Sequence, residues 1–287
     1  MNQTRKIWLY WENVYSDSMP EYIRLCYETI VAQSGDWEVV LLTPENVRDY
    51  VPALRHDFFD IPEVAHKADY IRGAILDELG GMWMDIDTVA LRPVSLISDL
   101  LALDGAVFYG WQSFQPSIGL VAAEPGHPLI AEWRKKMDET LDSNLSQKWA
   151  GIGYDLLWPL AKEHKYTHIA HTICAPTHYT ETEKFLADVD PSQVLKPETV
   201  VMQLYNKMFF KTYGSMDRES ILESNSLIAE CFRRSLNPDP LWEEVSAEMS
   251  QNPSLAAHAL RRSRDGQGNV GTIYVKMATD RRSSLTG

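Results

Sequence analysis

The chain has 287 residues, 45% of them hydrophobic and 23% charged, enough for one large α/β domain with additions or two small ones. A formal net charge of −13 argues against a general nucleic-acid binder and against broad adhesion to an anionic membrane. Cys26, Cys174 and Cys231 stand far apart with no C-x-x-C pair, an odd count that fits reduced thiols in a cytoplasmic setting. No apolar run approaches the ~20 residues of a membrane helix. Glu12 and Asn13 close the run Ile7 to Trp11 too early for a signal peptide.

Residues 5–11 read as a buried first strand. Pro20 opens a helix whose apolar residues, Tyr22, Ile23, Leu25, Cys26, Ile30 and Val31, recur at three- and four-residue spacings. Ser34-Gly35-Asp36 ends it, and Trp37 to Leu42 suits a second buried strand. This β-α-β opening favours a doubly wound, mostly parallel sheet. A loop rich in Asp and Pro leads to a helix over 63–79 with a stripe of Ala68, Ile71, Ile75 and Leu79. Gly80-Gly81 stops that helix.

The run Met82-Trp83-Met84 then ends in two carboxylates, Asp85 and Asp87, separated by Ile86. Residues at i and i+2 of a strand project to the same side. Two carboxylates held together repel unless a cation or a shared proton relieves them. The pair therefore reads as a metal and nucleotide-diphosphate site at the carboxyl edge of an α/β sheet; the plainer alternative is a polar turn with two solvated acids. Asp69 and Arg72, at i and i+3, share a face of the preceding helix. Alone they would be a helix-surface ion pair, but their helix runs directly into the acidic strand.

Residues 105–110 and 117–123 predict two more strands, and Gly126-His127-Pro128 starts a helix to about Leu141. From Gly151 the pattern is more helical and less regular, with a final helix at Trp242 to Met249. Beyond Leu255 the chain turns locally basic through Arg261, Arg262, Arg264, Lys276, Arg281 and Arg282. That tail reads as frayed and solvated, or as a contact with an anionic membrane surface or a phosphate-bearing acceptor. His164, His168 and His171 have a 4-then-3 spacing that zinc ligands on a helix could use, but Thr167 and Ile169 argue against a long helix there.

Ala68-Asp69-Tyr70-Ile71-Arg72, the glycine pair and Met82 to Asp87 together resemble the signature of D-x-D glycosyltransferases of the Gly-transferase-sugar group. Capsular polysaccharide synthesis proteins belong to that circle, and large clostridial glucosylating toxins share the local pattern. Lys6 to Trp11, Met19-Pro20-Glu21, Leu25-Cys26, Trp37-Glu38-Val39 and Ser117 to Pro128 add supporting similarity, so the resemblance covers roughly residues 5–160. It implies an α/β fold of GT-A type: a single Rossmann-like domain with a mostly parallel central sheet and a helical C-terminal addition. The domain would span 1–254, with a nucleotide-sugar half at about 1–125, an acceptor-side helical part at about 126–254, and a basic tail at 255–287.

The resemblance also implies a hexose transfer from a nucleotide diphosphate sugar, a UDP-sugar above all, to a hydroxyl of a saccharide or lipid-linked saccharide, with retention. Asp87 would bind Mn²⁺ or Mg²⁺, and Asp85 would contact ribose or the metal through water. Asp69 and Arg72 would hold the donor sugar, and Trp11, chosen over Trp8 and Tyr10, would pack on the base. Tyr10 and Ile86 complete the nucleotide-sugar set. Gln112, Asp155, Gln203 and Asn206 are candidates for acceptor contact or a late metal ligand, as are His171 and His178 for the latter. The expected setting is cytoplasmic, at most at the inner face of a membrane.

Three other readings compete. Asp85-Ile86-Asp87-Thr88-Val89 also fits the D-x-D opening of haloacid dehalogenase-type phosphatases, but that motif belongs on the first core strand, and Asp188-Val189-Asp190 is a poor later acidic cluster. A catalytically inactive sugar-nucleotide-binding subunit and a transferase acting on a host protein are the others.

Overall fold

The structure is a computed structural model that describes residues 5–14, 18–111, 115–143, 151–237, 259–264 and 270–274. The helix read at Trp242 to Met249 lies outside the described residues. Among the described residues ten strands form, β1 (Lys6–Tyr10), β2 (Glu38–Leu42), β3 (Gly81–Met84), β4 (Thr88–Ala90), β5 (Ala106–Gly110), β6 (Leu120–Ala123), β7 (Thr167–Ala170), β8 (Val201–Gln203), β9 (Ala259–Arg264) and β10 (Val270–Tyr274). Between them lie α1 (Glu21–Ala32), α2 (Val47–Tyr50), α3 (Val64–Glu78), α4 (Ser95–Ser98), α5 (Leu101–Asp104), α6 (Pro128–Asp142), α7 (Tyr154–Ala161), α8 (His171–Cys174), α9 (Asn206–Tyr213), α10 (Arg218–Glu223) and α11 (Leu227–Leu236).

The central sheet has the order β10-β9-β7-β5-β6-β3-β1-β2. β1 pairs in parallel with β2 and β3, and β5 with β7, whereas β6 runs against both β3 and β5. The core of the sheet is thus mostly parallel, with β6 the reversed strand. Alternation along the strands sorts the aromatic and aliphatic residues onto two faces. Trp8, Tyr10 and Trp83 meet Ile71 and Ile75 of α3 and Trp133 and Met137 of α6 on one face. Ile7, Leu9, Met82 and Met84 pack with Ile30 and Ile173 on the other. Each such side chain, fully buried, contributes about 1.5–3 kcal/mol, so the sheet is held rigidly from both sides.

The stretch after Gly151, read as helical, also supplies strands. β7 joins the central sheet beside β5, and β8 pairs antiparallel with β4 in a separate two-stranded ribbon. Both are three or four residues long, too short to show a two-residue alternation in sequence. Arg261, Arg262 and Arg264, read as part of a solvated tail, lie in β9, which pairs with β7 and with β10. No helix among the described residues is long and apolar enough to cross a membrane.

The glycine pair has a tight job at the start of β3. Gly80 and Gly81 have φ of +65° and +104°, which side-chain-bearing residues rarely adopt. A Cβ at either position would come within 2.6 Å of Pro125 Cδ or the Lys6 carbonyl. The Gly80 carbonyl accepts a 2.8 Å hydrogen bond from Trp8 Nε1, locking the turn to β1. This turn aims β3, and therefore Asp85 and Asp87, at the edge of the sheet.

Candidate functional site

At the end of β3 the acidic pair is built into a buried polar cluster. Arg72 Nη2 lies 2.7 Å from Asp85 Oδ1 and 3.5 Å from Asp69 Oδ1. Asp69, Arg72 and Asp87 are all buried, so Asp69 and Arg72 are not the solvated surface pair that their spacing alone would suggest. Arg72 also donates through Nη1 to the Ile118 carbonyl at 2.5 Å, and its guanidinium sits 5.0 Å over the Trp83 ring. Its Nε has no hydrogen-bond partner among the described residues.

Asp85 is oriented from three directions. Trp83 Nε1 donates to Oδ1 at 3.0 Å, Gln203 Nε2 donates to Oδ2 at 3.1 Å, and the Asp85 amide donates to the Gly119 carbonyl at 2.8 Å. The Tyr109 hydroxyl donates to Gln203 Oε1, which fixes the amide so that its NH₂ faces Asp85. Asp87 is held differently. Its Oδ2 accepts the Asn206 amide at 2.5 Å, and its carbonyl accepts the Leu204 amide at 2.9 Å. The Asn206 Oδ1 accepts the Tyr22 hydroxyl.

The β4–β8 ribbon makes these contacts possible, because it places Thr88 opposite Gln203. Tyr205, at the turn between β8 and α9, has φ of +62°, left-handed and unusual for an aromatic residue. That conformation turns the first amide of α9 toward Asp87. No local pattern in the sequence announces it.

Electrostatics make the cluster unusual. Three carboxylates face one guanidinium. Burial raises the Asp69 pKa to about 6, with Asp85 adding to the rise and Arg72 opposing it. Burial and then the Asp85 charge push Asp87 well above the ordinary carboxylate range, against the pull of the Asn206 amide. Unrelieved negative charge in a dry setting is what a hard divalent cation would neutralise.

The donor set fits such a cation in part. Asp87 can offer a carboxylate oxygen directly, whereas each Asp85 oxygen already accepts from Arg72, Trp83 or Gln203, which suits a water-mediated role. Among the described residues no three His, Cys, Asp or Glu converge as a metal cage, so amide, phosphate or water oxygens would complete the shell.

The remaining sequence-based candidates fall as follows. Trp11 is half-buried and packs against the same hydrophobic cluster as Ile86, close to the acidic pair. Tyr10 is buried on the face of the sheet that packs against α3, with its hydroxyl donating to Glu12 at 2.7 Å. Glu12 in turn accepts from Lys67 Nζ at 2.9 Å. The Ile86 side chain turns into the core. Asp155 is exposed on the first turn of α7; the neighbouring Gly153 is the residue that meets the site, since a Cβ there would collide with Asp69 Oδ2. Gln112 lies outside the described residues.

The histidines do not form a zinc face. His164 pairs with Glu132 at 2.7 Å, His168 is buried within β7, and His171 stacks on Trp111 at 3.8 Å. His178 meets the edge of the same indole at 4.9 Å. The phosphatase reading needs its nucleophile on the first core strand, and here β1 and β2 precede the motif. Trp83, Tyr109, Gly119, Tyr22 and Tyr205 were not foreseen. Trp83 and Gly119 had a signal, their places in the Met82-Trp83-Met84 run and the Ser117-Ile118-Gly119 block.

Residues 1–113 match the family model described as capsular polysaccharide synthesis protein. This stretch carries β1 to β5 and all four of Asp69, Arg72, Asp85 and Asp87. No curated protein matches the chain. Among solved structures, the PaToxG glycosyltransferase is similar at 11% identity and a TM-score of 0.39, over 86% of this chain and 85% of that one. The apo form of glycosyltransferase GlyE from Streptococcus pneumoniae TIGR4 is similar at 12% identity and a TM-score of 0.47, over 87% of this chain and 64% of that one. At those scores neither bears on activity.

Proposed function

We propose that this capsular polysaccharide synthesis-type chain is a D-x-D glycosyltransferase of GT-A type, moving a hexose from a nucleotide diphosphate sugar to a hydroxyl acceptor. The observation that carries the reading is the cluster of buried Asp69, Arg72 and Asp87 with partly exposed Asp85 at the edge of a mostly parallel sheet. A structural ion pair would balance its charges. This cluster leaves two carboxylates with raised pKa values beside one guanidinium, an arrangement that suits a ligand bringing both a cation and an anion.

Bond breaking between the sugar and the β-phosphate builds negative charge on phosphate and positive charge on the sugar ring. Mn²⁺ or Mg²⁺, held by Asp87, would supply Lewis-acid stabilisation of the diphosphate. Asp69 would hold sugar hydroxyls and lower the energy of an oxocarbenium-like ring. Arg72 orients Asp85 through their 2.7 Å ion pair. Trp11 offers its face to the base, as a UDP-sugar would require. Retention at the anomeric carbon, the lipid-linked or saccharide acceptor and a role in capsule or glycolipid assembly are extensions of the family resemblance.

The test is donor turnover. The chain is incubated with UDP-Glc, UDP-Gal, UDP-GlcNAc and GDP-Man with Mn²⁺, and release of UDP or GDP is followed. Release that disappears with chelator and in Asp87→Ala is the expected result. Hydrolysis of simple phosphomonoesters without nucleotide-sugar turnover would overturn the proposal.

A further inference from the structure

Among the described residues, Tyr205 alone other than glycine has a positive φ. The left-handed region presses Cβ against the following carbonyl, which disfavours it by a factor of about five to thirty. A bulky residue kept there needs something to hold it.

The tyrosine side chain supplies that hold. Its hydroxyl donates to the Thr177 carbonyl at 3.1 Å and accepts a hydrogen bond from Trp111. Trp111 is itself fixed, with His171 stacked on its ring at 3.8 Å and His178 meeting it edge-on at 4.9 Å. The Tyr205 ring packs against the hydrophobic cluster that contains Ile86 and Val89.

The backbone on both sides of Tyr205 grips Asp87. Leu204 donates its amide to the Asp87 carbonyl at 2.9 Å, and Asn206 donates its amide to Asp87 Oδ2 at 2.5 Å. The Asn206 side chain accepts the Tyr22 hydroxyl, which ties the start of α9 to α1. Returning Tyr205 to an ordinary negative φ would swing the Asn206 amide off the carboxylate and leave the Leu204 bond in place. An amide on Oδ2 sets the rotamer of the carboxylate, and so the direction in which Oδ1 meets a ligand.

We propose that Tyr205 is a positioning residue for Asp87: its hydroxyl, anchored to Trp111 and the Thr177 carbonyl, holds the left-handed turn that seats the Asn206 amide on the carboxylate. The proposal rests on the transferase reading for the use made of Asp87. It makes the segments that follow β5 and β7 the support of the cation site.

The experiment reads the turn both without metal and with it. In the ¹⁵N-labelled full chain the Asn206 amide proton, bonded to a carboxylate, should resonate downfield. Mn²⁺ uptake is followed by loss of the free-ion electron paramagnetic resonance signal. Tyr205→Phe keeps the ring and removes both anchors. It should move the Asn206 proton upfield and weaken Mn²⁺ binding about five- to thirtyfold. Tyr205→Gly, the larger truncation, enters the left-handed region freely and should bind Mn²⁺ more tightly than Tyr205→Phe. Trp111→Phe keeps a ring on His171 and removes one anchor. It should weaken binding less, and add nothing when combined with Tyr205→Phe. Unchanged amide spectra elsewhere verify that each variant folds. An unmoved Asn206 proton in Tyr205→Phe, with Mn²⁺ binding within about twofold of wild type, overturns the proposal. So does Mn²⁺ binding weaker in Tyr205→Gly than in Tyr205→Phe, the order that a packing role alone requires. A wild-type chain that turns over no nucleotide sugar would strike the transferase reading alone; a displaced Asn206 proton in Tyr205→Phe would still support the turn.

Discussion

Gln203 reaches across 118 positions of sequence to donate its amide to Asp85 Oδ2 at 3.1 Å, and Tyr109 orients that amide from behind. The hydrogen bond joins the β4–β8 ribbon to the end of β3. It also gives Asp85 a fixed rotamer before any ligand arrives. Gln203→Ala should reduce donor turnover about tenfold, the effect of one lost hydrogen bond to a charged group. Tyr109→Phe should give a smaller loss in the same direction. Steady-state hydrolysis with thermal melts separates this from unfolding, since the melting temperature should move little for Gln203→Ala.

Asp87 and Asp85 should respond unequally to amide substitution. Asp87→Asn removes the carboxylate charge proposed to hold the cation and should lower turnover at least about a hundredfold while raising the Mn²⁺ concentration needed. Asp85→Asn keeps the shape but leaves Arg72 without its 2.7 Å partner. Such a variant should lose about 3–5 kcal/mol of stability as well as activity, because a buried guanidinium is left poorly compensated. Paired Mn²⁺ titrations and denaturant melts check both. Equal metal dependence in the two variants would contradict the assignment of Asp87.

Metal binding should weaken as pH falls toward the acid range. The Asp87 carboxyl holds its proton to higher pH than a free aspartate, since burial and Asp85 oppose its charge. A cation must displace that proton, so its apparent affinity should rise with pH until Asp87 is ionised. Isothermal titration with Mn²⁺ at a series of pH values, in buffers of different ionisation enthalpy, measures the released proton.

Asp69 carries a stability signature of opposite slope to most carboxylates. Its pKa is raised from the ordinary 3.8 to about 6, so the folded state holds a proton that the unfolded chain has lost between those values. Folding stability from this group is therefore greatest below about pH 4 and falls as pH rises toward about 6, by about 3 kcal/mol. Relative to Asp69→Asn, the wild-type chain should lose stability across that window and then run parallel. A flat difference across the window would show that Asp69 is an ordinary acid.

Gly153 tests how closely the segment entering α7 presses on the cluster. A methyl group there would strike Asp69 Oδ2 and Ile118 Cδ1. Gly153→Ala should cost about 1–3 kcal/mol and displace Asp69, lowering donor turnover more than it lowers stability. Thermal melts read beside hydrolysis rates decide whether the effect is local.

The β-α-β opening, the helix from Val64 to Glu78 and the strand into Asp85 were legible from periodicity and glycine placement. They are regular, and each buries one face over several turns or residues. β7 and β8 were not legible, because three or four residues carry too few alternations to oppose a helical reading. The reversed strand β6 was also hidden, since direction within a sheet depends on where the connection from β5 leads. Within the site, Asp69, Arg72, Asp85 and Asp87 were all chosen by local spacing, and the structure brings them into one cluster. The tilt of Tyr205 into left-handed space was beyond sequence reading, because nothing about tyrosine favours it.

The sequence by itself determined which carboxylates and which guanidinium sit together, because their separations along one helix and one strand follow from helical and extended geometry. The tertiary structure alone decided the burial of Asp69, Arg72 and Asp87, the raised pKa values of Asp69 and Asp87, and the partners Gln203 and Asn206. Those depend on packing between segments more than a hundred residues apart, and no local pattern encodes how dry the space between them becomes.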